Sequence, residues 1–379
     1  MQAMDSAQSQ LIQIAERVRA AAADATPLRI RGGGTKDFHG LALQGELLDT
    51  RALAGVVSYE PSELVVTVRA GTPLAEVEAL LAAQGQCLAF EPPHFEGADG
   101  RATVGGMVAS GLSGPSRASV GAVRDFMLGL EMINGQGELL RYGGQVMKNV
   151  AGYDVSRLMA GSWGTLGLIT EVSLKVLPVA PAEATLRFEC TQQQALDWLN
   201  AWGGQPLPLN ASCWLQEDSA AQGVLYLRLR GARAAVQAAC GRLGGERMHS
   251  AAADWQACRE HQLPWFTARA PGHALWRLSV PQTAPALALP DGCTGPLVEW
   301  HGALRWVQAP RALGHALRTL AKAAGGSATL FRSEAADQPG AEPDFDAQAA
   351  DATAALHARL KQAFDPAGIF NRGRLAAAW

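Results

Sequence analysis

The chain has 379 residues, of which 48% are apolar and 18% charged, with a net charge of −3. That length accommodates two substantial domains, and that composition describes a globular protein with an ample core. A near-neutral balance without blocks of like charge argues against a basic surface for nucleic acid or anionic lipid.

No run approaches the roughly 18 apolar residues of a membrane span, and the polar N-terminus has no signal-peptide pattern. A cytoplasmic location is expected, with docking to a membrane-bound partner left open. The six cysteines show no C-x-x-C spacing, and the eight histidines form neither H-x-H nor H-x-x-x-H. No metal is expected, whether zinc or an iron–sulfur cluster.

Leu11, Ile12, Ile14, Ala15, Val18 and Ala22 recur near helical spacing, which predicts an opening amphipathic helix over residues 8–23. A strand, Leu28 to Arg31, then runs into Gly32, Gly33 and Gly34, followed by Thr35 and Lys36. Glycine lets main-chain N–H groups come close to a ligand, and successive amides around one concavity suit a diphosphate. An ordinary glycine turn is the alternative. The spacing fits neither G-x-G-x-x-G nor G-x-x-x-x-G-K-[ST], which excludes a nicotinamide-type fingerprint and a nucleotide-hydrolysing loop.

The β-branched run from Leu64 to Val68 predicts a buried strand. Thr72 as N-cap and Pro73 at the first helical position start a helix that Gly85 ends. Cys87 to Phe90 predicts another short strand, so residues 25–92 form a small α/β unit. From Thr103 through Val104, Gly105, Gly106 and Met107 to Gly111, small residues leave the backbone bare. Tight packing at a helix start is one reading of that run. The recurrence of glycine clusters favours approach to something flat and extended.

Leu128, Leu130 and Met132 alternate with Gly129 and Glu131, Asn134 to Gly137 turns the chain, and Leu139 to Tyr142 returns as a hairpin. The run Lys148 to Asp154 leads to a third glycine cluster, Gly161 to Thr170, which carries Gly164, Thr165, Gly167 and Ile169. A strand with Val172, Leu174 and Val176 on one face follows, and Pro178 and Pro181 bracket a linker.

Beyond it, strands are expected at 186–189, 212–215, 224–230, 275–280, 297–301, 304–308 and 328–332, with helices at 192–202, 233–243 and 311–324. Helices segregated on an antiparallel sheet give an α+β domain. Ser333 to Gln348 is an acidic loop, and Leu356 to Phe364 a last helix returning toward the first domain. Nine of the ten tryptophans follow residue 190, and core or subunit-interface roles suit them better than base stacking.

The three clusters together carry a family resemblance. Arg31-Gly-Gly-Gly-Thr-Lys-Asp-Phe, Thr103-Val-Gly-Gly and Gly161-Ser-Trp-Gly-Thr-Leu-Gly-Leu-Ile-Thr resemble the FAD-binding domain of the vanillyl-alcohol oxidase / p-cresol methylhydroxylase (PCMH) superfamily. The resemblance implies an α+β chain: a PCMH-type two-subdomain FAD-binding domain over 1–180 and an antiparallel-sheet cap over 181–350. A helix and tail over 351–379 would return to the FAD domain. It also implies that Gly32, Gly33, Gly34, Thr35 and Lys36 embrace the diphosphate, and that Val104, Gly105, Gly106, Met107 and Gly111 lie against diphosphate and flavin. Gly164, Thr165, Gly167 and Ile169 would add contacts near the adenine side and the ring.

Within the superfamily, the run from Met147 to Gly167 resembles the FAD-binding E subunits of bacterial glycolate oxidases. Trp163 stands where broader 2-hydroxy-acid oxidising members carry an acidic residue, and Arg372 replaces a proline. Members that bind FAD covalently often carry a histidine near the first turn, where this chain has Thr35, so non-covalent FAD is implied. His39 is expected at the surface or packing a loop. The histidine-rich metal segment of the D-type relatives has no counterpart. The implied partners are a catalytic FAD-containing D-type subunit and an iron–sulfur subunit, acting on glycolate. Candidate bases His261 and His301 are expected to be structural, and Arg259, Arg277 and Arg305 to serve surface or strand-edge roles as readily as a carboxylate. No catalytic residue is assigned on this chain. A self-sufficient flavin dehydrogenase and a flavin-free structural subunit stay as alternatives.

Overall fold

A computed structural model of the chain describes residues 2–42, 44–96, 100–144, 154–216, 222–333 and 352–376. The opening helix Gln2–Ala23 turns Ala15, Val18 and Ala21 inward against Leu28, Leu48 and Phe370. Strand Leu28–Arg31 pairs in parallel with Glu46–Asp49, and Leu28 bridges Phe370 from the C-terminal segment. The C-terminal segment therefore lies beside the first strand.

Next comes a five-stranded antiparallel sheet in the order Val56–Glu60, Val65–Arg69, Leu168–Lys175, Met127–Ile133, Leu139–Gly143. Its central strands are apolar and β-branched because both faces are covered. Val66, Val68, Val172 and Leu174 are fully buried, packed with side chains of helices Leu74–Ala82 and Val104–Ser110.

The second half builds an eight-stranded sheet in which every pairing is antiparallel. It runs Glu246–Met248, Ala182–Cys190, Gly223–Gly231, Leu209–Leu215, Thr294–Glu299, Leu304–Pro310, His273–Ser279, Ser327–Arg332. Helices Gln192–Gly203, Arg233–Leu243 and Gly314–Ala323 supply side chains to two of its apolar clusters. A third cluster joins Trp255, Phe266, Trp306 and Phe331 of this half to Phe38, Phe95, Leu112 and Trp163 of the first. That cluster is the seam between the two halves.

Several expectations need correction. Thr72 does not cap its helix: its hydroxyl donates to Arg69 O at 2.8 Å and accepts from Gly55 N at 2.9 Å, and Pro73 takes the cap position. The small-residue run keeps both of its readings: it starts a helix, Val104–Ser110, capped by Thr103, and its Gly105 and Gly106 line a groove. The strand expected at 87–90 is confined to Gln86–Cys87, which pairs with Leu177–Pro178 of the expected linker. The strand placed at 297–301 is Thr294–Glu299, followed by a 3-10 turn over Trp300–Gly302. The run 148–153 and nearly all of the 333–348 loop lie outside the described residues.

Candidate functional site

The first strand delivers its glycine turn directly against the segment that leads into helix Val104–Ser110. A Cβ on Gly33 would lie 1.5 Å from the Arg101 carbonyl oxygen, and one on Gly32 2.3 Å from Thr103 Oγ1. Gly34 takes φ +75°, the left-handed region that glycine enters without penalty. The main-chain N–H groups of Gly33, Gly34 and Thr35 find no acceptor among the described residues. Such a row of donors is a ready anion cradle.

The third cluster is held opposite by the C-terminal segment. Asn371 Oδ1 accepts from Ile30 N at 2.8 Å, and its Nδ2 donates to Trp163 O at 2.7 Å. One side chain thus ties the first strand to the third turn. Lys361 Nζ donates to Thr165 O at 2.7 Å, to Asp365 Oδ2 at 2.7 Å and to Phe370 O at 3.1 Å, which fixes the same turn from beneath.

The three turns converge on one groove, walled by Gly32, Gly33, Gly34, Thr35, Lys36, Gly105, Gly106, Gly164, Gly167 and Ile169. Val104, Met107 and Thr165 do not line it; they are buried in the layer below. Gly111 ends the helix at φ +63°, close against Gly161. The groove is also lined by Thr50, Ala70 and Arg374, which no sequence pattern marked, and by Asn371. Asn371 ends the C-terminal run Phe364-Asp-Pro-Ala-Gly-Ile-Phe-Asn371, which belongs to the same family resemblance as the three glycine clusters.

Lys36 is the cation at the rim. Its Nζ donates to His94 O at 3.1 Å and to Thr35 Oγ1 at 3.2 Å. Burial pushes its pKa down to about 8, with Glu260 opposing the shift and Arg332 adding to it. His39 packs a loop as expected, but it is not at the surface. It is buried, with its ring stacked on Trp163 at 4.2 Å. The Arg374 guanidinium sits 5.1 Å from the same indole.

The cap candidates are mostly committed to structure. Arg305 donates to the carbonyl oxygens of Gly302, Pro285 and Ala284. His301 Nδ1 and Nε2 meet Ser212 and Ser119 at 3.0 Å, and burial drops its pKa to about 4. Arg259 pairs with Glu260 at 2.8 Å and Glu78 at 3.5 Å. His261 stacks on Phe266 at 4.2 Å; burial and then Arg332, Arg277 and Arg269 hold its pKa well below the usual range. Arg277 stacks 5.2 Å from Trp300. Glu299, unremarked in the sequence, is buried among Cys258 Sγ at 3.3 Å and Trp306 Nε1 at 2.7 Å, and burial raises its pKa to about 7. A cavity of about 840 Å³ lies on the cap sheet under Trp255 and Trp265, apart from the glycine groove.

Residues 9–143 match the family model for an FAD binding domain. Over 363 residues the chain is 46% identical to glycolate oxidase subunit GlcE of Escherichia coli (strain K12), covering 96% of each. Glycolate oxidase subunit GlcD of Bacillus subtilis (strain 168) is 30% identical over 162 residues, which is 42% of this chain and 34% of that one. In fold the chain is similar to alkyldihydroxyacetonephosphate synthase, with a TM-score of 0.62 at 15% identity over 94% of this chain and 74% of that one.

A donor-lined groove beneath an antiparallel cap, with that domain match, makes this an FAD-dependent oxidoreductase of the PCMH-type fold. The cradle suits the cofactor's diphosphate, since its free amides and the Lys36 ammonium are the donors a phosphate oxygen requires. More particularly, the chain belongs to the GlcE family of glycolate oxidase subunits.

Proposed function

We propose that the chain is the FAD-binding subunit of a multi-subunit glycolate oxidase that converts glycolate to glyoxylate. In this reading a D-type sister chain performs the oxidation and an iron–sulfur chain carries electrons away. The whole complex would work in the cytoplasm, peripheral to the membrane through its partners. The observation that carries the proposal is the end-to-end likeness to GlcE. The commitment of His301, Arg259 and Arg305 to internal partners gives it further support.

When bound, FAD supplies a two-electron acceptor. The amides of Gly33, Gly34 and Thr35, with Lys36, would hold the diphosphate, and Gly105, Gly106, Gly164, Gly167 and Ile169 would wall the rest. Val104, Met107, Gly111 and Thr165 would act from below by fixing those backbones. The attachment is non-covalent.

A second reading, a self-sufficient dehydrogenase, draws on one feature. His261, whose Nδ1 is buried without a partner, lines a small seam pocket with Arg277, Glu299 and the Leu112–Pro115 segment. That pocket holds about 20 Å³, too little for a hydroxy acid. The test is anaerobic glycolate titration of the reconstituted chain alone and then with its D-type partner, followed by the flavin absorbance band. Bleaching only with the partner present fits the subunit assignment. Bleaching of the lone chain would replace it with the second reading.

A further inference from the structure

The groove between the three turns has a volume of about 90 Å³. Pockets that hold ligands of drug size run to roughly 300–1,000 Å³, and a dinucleotide is larger than most such ligands. Trp163 and Arg374 line the groove, and His39 backs the Trp163 indole from the side of the cap.

Trp163 leaves the third turn at φ +53°, which carries its indole toward the first turn. The indole lies against the His39 imidazole with ring planes 15° apart and centroids at 4.2 Å. His39 in turn lies 5.8 Å from Phe331 of the cap sheet. Arg374 reaches in from the C-terminal segment, packs on the indole, and donates from Nη2 to Lys36 O at 2.6 Å. The column therefore runs from the third turn through the first turn to the cap. Only the half of the cofactor nearest the cap can reach a substrate or another redox group, so that end belongs to the isoalloxazine.

Building on the FAD assignment, we infer that Trp163, His39 and Arg374 form a gate at the ring end of the groove. In the closed form they stack on one another in the volume the flavin ring takes. In the open form the indole and imidazole turn aside and become walls of the ring site. Nothing in the backbone needs to move for this. Both aromatic groups are on turns whose main chain is pinned, through Asn371 at one and through Arg374 at the other. The identity of these residues thus controls how readily FAD enters.

Stopped-flow mixing of apoprotein with FAD, followed by quenching of flavin fluorescence, tests this directly. A gate makes the observed rate of uptake level off as FAD concentration rises, because opening becomes limiting. Trp163→Ala removes the bulk that blocks entry and is expected to raise the plateau about 10-fold or more. His39→Ala, which keeps the indole but removes its support, is the second variant and is expected to raise it as well. Circular dichroism melts report whether each variant folds. Uptake that stays linear in FAD and identical in all three proteins would overturn the gate and leave the cofactor assignment standing. Failure of the wild type and both folded variants to take up any FAD would overturn both.

Discussion

Replacing Lys36 with methionine separates the energetics of folding from those of cofactor binding. The residue is 8% exposed and the pKa of its ammonium is held at about 8 instead of 10.5. Keeping it charged in the fold therefore costs about 3 kcal/mol at neutral pH. Methionine fills a similar volume without the charge, and forfeits hydrogen bonds to His94 O and Thr35 Oγ1 worth about 1 kcal/mol each. The apoprotein should gain about 1 kcal/mol and melt about 2–4 °C higher. The holoprotein should lose a charge-assisted contact to phosphate of about 1.5–3 kcal/mol, which weakens FAD binding roughly 10- to 100-fold. The pH dependence has a definite sign. The unfolded lysine keeps its proton to 10.5 and the folded one only to about 8, so the wild type recovers stability as pH rises between those values. The variant's advantage shrinks over the same window. Affinity for FAD in the wild type should fall above about pH 8, where the free site loses its positive charge, and stay flat in the variant. Differential scanning fluorimetry of apoprotein and titration of FAD fluorescence at pH 7 and 9 measure both. A lower apoprotein melting temperature together with unchanged FAD affinity would refute the reasoning.

Three further substitutions probe other parts of the site and seam. Gly33→Ala places a methyl 1.5 Å from the Arg101 carbonyl, a backbone contact that cannot yield, and should cost about 3 kcal/mol in urea unfolding while abolishing FAD uptake. Lys361→Met leaves the fully buried Asp365 carboxylate without its cation and should cost about 3–5 kcal/mol; adding Asp365→Asn should restore part of that loss. Glu299→Gln tests the buried acid of the cap, whose pKa of about 7 exceeds the ordinary 4.5 because of burial. The penalty of ionising it is absent below pH 4.5, grows between 4.5 and 7, and reaches about 3 kcal/mol above that. The variant should gain on the wild type at pH 8 and not at pH 4.5, as read by denaturant midpoints.

The parts of this molecule legible in its sequence are those where one residue type answers a backbone demand. Gly33 and Gly34 announce the cradle because no other residue could sit there. Val66, Val68, Val172 and Leu174 announce buried strands because β-branched and apolar side chains fill a layer covered on both faces. The antiparallel cap was legible for the same reason, in short apolar strands separated by helices. What stayed hidden depends on partners distant in sequence. Glu46–Asp49 carries no strand pattern, and becomes a strand only by lying parallel to Leu28–Arg31. Asn371 acts through contacts 341 and 208 positions away. Glu299 sits in an apolar run and looks like an interruption until Trp306 and Cys258 close over it. His39 reads as a polar loop residue because its burial comes from Trp163 and from Phe331 of the other half.

The seam also decides how the ring end of the groove opens. Glu91 of the first half reaches into the cap sheet, 2.7 Å from the buried Arg228 and 3.1 Å from Arg230. Glu260 of the cap reaches back, accepting from His94 N at 3.0 Å and Phe95 N at 2.8 Å. Parting the halves would break both connections, taking Glu91 from Arg228 and Arg230 and the Glu260 carboxylate from the His94 and Phe95 amides. Turning Trp163 away from His39 forfeits an aromatic contact of about 0.5–1.5 kcal/mol. It also gives up a guanidinium–indole contact of about 0.5–2 kcal/mol. Rotation of the stack leaves both of those connections in place. Cofactor entry at this end therefore runs through side chains on a fixed frame, not through separation of the cap.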